Sequence, residues 1–285
     1  MNTLLQPVDI TEAHPLRKWA QRELLRRYGS GGAMLHGLSV DFSLFLAYSF
    51  TGWLWESTVC SLTNYGKLIN RGFLNGPYCP IYGCGGLLAV HLLSELEHPA
   101  ARFLASGTLC CALEYATSWG MEKLFHARWW DYSEKPFNLN GRIYLNGFLA
   151  FGAASALLVD RIDPALRKRM NTVPPMIIEL TAGAAWLAFT ADSVITLAGV
   201  TGLEEKLQAV EETLEAELEK LPVAEHAHAA YETLQRLNAQ QRRMLSAFPK
   251  LHLLSDNDRL TAIRRQFHNL SQRRESDSSL FLQQR

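Results

Sequence analysis

Residues 42–62 read FSLFLAYSFTGWLWESTVCSL, 21 positions carrying a single charge, Glu56. A helix rises 1.5 Å per residue, so about 20 apolar residues cross the ~30 Å hydrocarbon layer of a bilayer. Four further apolar runs follow: 77–94 (PYCPIYGCGGLLAVHLLS), about 103–121 with Glu114 inside, 143–159, and about 180–203 with Asp192 inside. Within hydrocarbon every backbone N–H and C=O needs a partner in the protein, which makes helices the expected form. The sequence therefore predicts an all-α fold, a polytopic transmembrane helix bundle of about five spans.

Working outward, the averages conceal this organisation. The chain balances 28 Lys and Arg against 28 Asp and Glu and has a mean hydropathy of −0.06. The apolar residues concentrate between Asp41 and Gly202. Three parts are expected: an N-terminal tail over 1–36, the bundle over 37–202, and a helical tail over 203–285. Residues 15–28 (PLRKWAQRELLRRY) read as a basic amphipathic helix, lying on anionic headgroups or flanking the first span in water. Gly29, Ser30, Gly31 and Gly32 are expected to break it. The opening residues lack the apolar core of a signal peptide, so insertion falls to the first span. In the tail, Leu203, Leu207, Val210, Leu214 and Leu218 form one stripe. Ala227, Ala230, Leu234, Leu237 and Met244 form another beyond Pro222, the pattern of a soluble hairpin or a coiled coil. The end past Arg273 is expected to be disordered.

Charge balance and scattered basic residues give no nucleic-acid footprint. The five cysteines lie in or beside apolar runs, and Cys79 and Cys84 lack a zinc-site spacing, so neither a metal nor another cofactor is expected. Gly152 with Ala156, and the Ala-rich run from Ala182 to Ala191, suit close helix packing, within the bundle in preference to a dimer face. Ten Lys and Arg on the amino-terminal side against eight on the other fix no orientation.

Candidate chemistry falls in two unusual connections that five spans place on one side, 70–83 and 125–142. Trp129, Trp130, Tyr132 and Tyr78 suit the headgroup zone, an explanation that needs no ligand. The acids are harder to dismiss, because a carboxylate in hydrocarbon must pair, take up a proton or face a polar interior. Glu56 lies near the loop end of its span. Glu114, Ser118 and Glu122 share one helical face at i, i+4 and i+8. Glu56, Arg71, Glu122, Arg128, Asp131 and Arg142 can then converge, either as buried pairs that lock loops to helix ends or as the lining of a polar path. Asp192, with Thr196 one turn on, is a second candidate lining. The polar-cluster candidates are thus Glu56, Arg71, Glu114, Glu122, Arg128, Asp131, Tyr132, Arg142 and Asp192, with no catalytic set among them.

The runs FTGWLWES (50–57), NRGFLNGPYCPIYGCG (70–85) and LEYATSWGMEKLFHARWWDYSEKPFNLNGRIYL (113–145), with Ala247-Phe248-Pro249-Lys250 in the tail, resemble the ABC transporter permease family of type IV, the CmpB-like proteins. The resemblance covers about Phe42 to Phe248. It implies a small bacterial multi-pass protein of the cell membrane and carries no assigned substrate or catalytic residue. The chain has no GxxxxGK[ST] loop, so a permease role implies a separate ATP-binding subunit, with the lipid bilayer and a second copy of the chain as further candidate partners. Two other functions compete with transport. One is a membrane scaffold or sensor that presents the tail. The other is a membrane-embedded enzyme acting on lipid or envelope precursors, with Glu56 and Asp131 as acid and base.

Overall fold

The structure is a computed structural model that describes residues 13–203, 205–206, 209 and 237–253, with side chains over 31–251 of these. The side chains of the basic helix, the first tail stripe beyond Leu203 and the second as far as Leu234 lie outside the described residues, as does the chain end.

The described chain is mostly helical. Helix α1 (Ala13–Trp55) continues through a π-helical turn, Glu56–Cys60, into Ser61–Tyr65. After it come α2 (Pro80–Leu93), α3 (Pro99–Phe125), α4 (Leu145–Met170, with a π turn at Leu158–Ile162), α5 (Pro175–Val200) and a short α6 (Ala239–Ala247). Strand pairs also occur, so the fold is not purely α. Strand β1 (Ala127–Arg128) pairs with β4 (His252–Leu253), and β2 (Asn138–Leu139) with β3 (Ile143–Tyr144), both antiparallel.

Three helical stretches, Gly31–Tyr65, Leu145–Met170 and Pro175–Val200, are long and apolar enough to cross a membrane. The other two runs look different in three dimensions. Helix α2 has 14 residues, about 21 Å at helical rise, because the chain turns at Pro77, where the Tyr78 N–H donates to the Gly76 carbonyl, Cys79 is extended, and the helix starts only at Pro80, whose missing N–H suits the first turn. Helix α3 is ample at 27 residues but buries Arg102, Glu114 and Glu122 in its inward face. The break expected at Gly29–Gly32 does not occur, since α1 runs straight through it. Each glycine costs a helix only about 1 kcal/mol, which flanking helix and packing override.

Helix α2 packs antiparallel to α1, and α5 packs parallel to it. A Cβ on Gly83 would lie 2.6 Å from the Phe45 carbonyl oxygen, so only glycine lets α1 and α2 approach this closely. Gly152 of α4 plays the same part against Phe103 of α3, where a Cβ would come within 2.9 Å of the carbonyl oxygen. This small residue thus serves packing within the bundle. Along α5, Phe42 and Phe45 of α1 meet Trp186 and Phe189 edge to face.

The connections after α1, α3 and α5 meet at one end, called here the loop end. There Trp129, Ala127, Val200, Leu203, Leu237, Met244, Phe248 and Leu251 form a core, with Trp129 only 2% exposed. The belt position expected for Trp129 is therefore corrected: its indole stacks edge-on against Phe73, Phe125 and Phe248 at 5.0–5.5 Å between centroids. Burying the whole ring inside protein outweighs placing its polar edge among headgroups. The opposite end is tied by ion pairs. Arg167 of α4 binds Asp41 of α1 at 2.7 Å and Asp163 at 2.9 Å, and His91 of α2 meets Asp41 at 3.1 Å.

Candidate polar centre at the loop end

The site is built on a segment that turns back into the bundle. Gly66 adopts φ +67°, ends the first helix in a left-handed cap, and lets the chain reverse. Residues 69–79 then run back along α1 without forming a helix. The Ser61 hydroxyl donates to the Ile69 carbonyl, the Arg71 N–H donates to Ser57 Oγ at 3.0 Å, and the Cys79 N–H donates to the Ser49 carbonyl at 2.9 Å. From Ser61 to Ser49 is about 18 Å of descent at helical rise. Non-helical backbone at such depth is tolerated only where protein or a polar cavity satisfies it.

Asp192 of α5 supplies much of that satisfaction. Its carboxylate accepts from the Asn75 N–H at 3.0 Å, the Gly76 N–H at 2.8 Å, the Asn75 amide at 2.8 Å and the Tyr78 hydroxyl at 2.5 Å. Thr196, one turn on, accepts from the same Asn75 amide at 3.0 Å. These are the contacts of a clamp on the re-entrant segment. From the other side, Arg243 of α6 donates to the Gly72 carbonyl at 3.1 Å and to the Phe73 carbonyl.

The segment brings Arg71 to Glu56, the first residue of the π turn, with Nε 3.3 Å from Oε2. The Tyr82 hydroxyl donates to the other Glu56 oxygen at 2.6 Å. A π turn inserts one residue into the helical ladder and is common at functional sites; here it rotates Glu56 toward α2 and the loop. Glu114 of α3 is 7% exposed, and among the described residues its hydrogen-bond partner is the Tyr132 hydroxyl at 3.3 Å. Burial, and then the carboxylates of Glu114 and Glu56, push the Tyr132 phenol well above its ordinary range.

About two turns further along α3, at Glu122, a separate lattice of charges pins the second loop. Arg142 binds Glu122 at 2.8 Å, donates to Ser118 Oγ at 3.0 Å and lies over the Tyr115 ring at 5.5 Å. Arg128 binds the same Glu122 oxygen at 3.1 Å and reaches Asp131 at 3.8 Å. Glu122 lies beyond the apolar part of α3. Burial works to raise its pKa, but the hydrogen bonds from Arg142 and Arg128 prevail and hold it below the ordinary carboxylate value. Asp131 accepts from the Ser133 N–H at 2.9 Å and from its hydroxyl at 2.6 Å, a turn-closing role.

The nine sequence candidates thus fall into three groups. Glu56, Arg71, Glu114 and Tyr132 form the polar centre. Glu122, Arg128, Asp131 and Arg142 form the lattice beside it. Asp192 stands apart as the clamp. Sequence reasoning missed Tyr82, Asn75 and Arg243, and also the network of Asp41, Tyr48, His91, Asp163 and Arg167 at the far end, where the Tyr48 hydroxyl donates to Asp163 at 2.7 Å. Only the i,i+4 spacing of Asp163 and Arg167 signals that network in the sequence.

The family described as Putative ABC-transporter type IV matches residues 43–197, more than half of the chain. No curated protein and no solved structure matches. The match and the three long apolar helices together make this a membrane protein related to transport.

Proposed function

Since the chain belongs to the putative ABC-transporter type IV family, we propose that it is the membrane-embedded permease of a transport system in the cell membrane. All five helices α1 to α5 cross the bilayer, the tail beyond 203 lies in water, and a separate ATP-binding subunit supplies the energy. The polar centre of Glu56, Arg71, Tyr82, Glu114 and Tyr132 handles the transported solute or a coupling ion. One observation carries this reading. At the depth of the π turn, a non-helical segment places Arg71 against the Glu56 carboxylate of a lipid-crossing helix, and a second buried carboxylate, Glu114, accepts from Tyr132 of the second loop. Carboxylates are retained in a bundle interior at a cost that packing alone does not repay. The competing acid–base pair of Glu56 and Asp131 gains little, because Asp131 is occupied in its own turn.

The test uses ATP-loaded membrane vesicles from cells that contain the chain with its native complement of ATP-binding subunits. Those vesicles are expected to change a solute pool that vesicles lacking the chain leave unchanged. The paired substitutions Glu56→Gln and Arg71→Ala are expected to lose that difference at wild-type protein levels. Identical solute profiles with and without the chain would overturn the proposal.

A further inference from the structure

The centre contains more acid than base. Glu56 is balanced by Arg71 and donated to by Tyr82. Glu114 has no Lys or Arg partner among the described residues, and the groups that face it do not supply one. From α1 it faces Glu56, from the second loop Tyr132, and just before α4 Tyr144; along its own helix are Cys110 and Cys111. The next cation along α3 is Arg142, which reaches Ser118 one turn away but is committed to Glu122 at 2.8 Å. An ionised, unpaired carboxylate in so dry a place costs several kcal/mol or more, and such groups neutralise instead.

A metal ion is a poor counter-charge here. Calcium and magnesium call for about six or more oxygen ligands, whereas among the described residues no group of three His, Cys, Asp or Glu could hold a metal ion. A proton needs only one oxygen. The Tyr132 hydroxyl that reaches Glu114 belongs to a partly exposed loop residue whose backbone is held by a 2.7 Å bond to Gly141, and its ring packs on Tyr144 at 4.6 Å. That phenol joins Glu114 to the second loop.

We propose that Glu114 is a proton-binding site inside the bundle, loaded and unloaded from the loop end past Tyr132. The proposal rests on the transport reading above and gives it an ion: the proton. On loading, a proton from water forms an O–H bond on a Glu114 carboxyl oxygen; on release it returns to water, leaving the carboxylate.

The test is modification of the full-length protein in lipid vesicles by dicyclohexylcarbodiimide, a hydrophobic reagent that reacts with protonated carboxyls, followed by mass mapping of the modified residue. Glu114 is expected to carry the adduct, with less adduct as the pH is raised. Glu114→Gln is expected to lose it and Glu56→Gln to keep it. Infrared spectroscopy of the unmodified protein needs no variant to fold, and a protonated-carboxyl carbonyl band that fades with rising pH is expected. A spectrum without that band, or an adduct on Glu56 with none on Glu114, would overturn the inference. Loss of ATP-dependent transport in both glutamate variants, with no carboxyl modification, would sink the proton site alone. A modified Glu114 in a chain that moves no solute would instead sink the transport reading.

Discussion

At the scale of single residues, the same side-chain type does different work according to what surrounds it. Glu122 is held by two arginines and Glu56 by an arginine and a phenol, whereas among the described residues Glu114 is hydrogen-bonded to a phenol and has no arginine. Removing one partner of a buried pair strands the other, at about 3–5 kcal/mol. Arg142→Ala leaves Glu122 with Arg128 at 3.1 Å and is therefore expected to lower stability in detergent by less, about 1.5–3 kcal/mol, the worth of a lost charge-assisted hydrogen bond. Arg71→Lys is expected to cost less, because the charge is kept and only the planar fork is lost. Scanning calorimetry distinguishes the two. The Glu122 pair also has a pH sign. Its folded-state pKa lies below the ordinary value of 4.5, so its contribution is fully present above that value and is lost as pH falls through the folded pKa. Acid titration monitored by tryptophan fluorescence is expected to show the second loop loosening below that point in the native protein, and not in Glu122→Gln.

At the scale of elements, the re-entrant segment and α6 form a unit. Arg243 holds the Gly72 and Phe73 carbonyls, and Cys79 lies at the inner end of the same segment, buried. Arg243→Ala is expected to raise the rate at which a maleimide labels Cys79; an unchanged rate would show that α6 does not hold the segment. Gly83→Val is expected to push α1 and α2 apart and lower the melting temperature, because the obstructing atom is the backbone oxygen of Phe45. The sequence spoke unevenly about these elements. Length and hydropathy located each helical run, since apolar residues in hydrocarbon have few other forms. They placed the start of α2 three residues early, because Pro77 to Cys79 are as apolar as a helix yet lie outside it, with a bend at Pro77 and an extended Cys79. They broke α1 at glycines whose cost the rest of the helix absorbs. The acids stood out by their rarity in apolar runs, and i+4 spacing correctly put Ser118 and Glu122 on the face of Glu114 that turns inward. Their partners did not stand out. Tyr82 and Asn75 carry no charge, and Arg243 lies 171 residues from its partner Gly72, a separation that no local pattern encodes.

At the scale of the whole molecule, ion pairs of Asp41, Arg167 and Asp163, with His91 hydrogen-bonded to Asp41, tie one end of the bundle, while aromatic packing and the polar centre close the other. The segment from Leu237 to Leu251 covers Trp129 at the loop end, so the tail is joined to the bundle at that point. Trp129→Ala, which empties the middle of that cluster, is expected to cost about 3–5 kcal/mol and to loosen the contact. Limited proteolysis reads the result as faster release of a fragment containing α6.

All of this depends on α2 and α3 crossing the bilayer together with the three longer helices, so that the connections after α1 and α3 share a surface. Single cysteines placed by Lys67→Cys, Glu97→Cys, Lys135→Cys and Asn171→Cys in a cysteine-free chain, each at an exposed site, test it by labelling intact cells with a membrane-impermeant maleimide. Positions 67 and 135 are expected to label from one side, and 97 and 171 only from the other. Labelling of 67 and 135 from opposite sides, or of 67 and 97 from the same side, would contradict the five-helix crossing and the polar centre built on it.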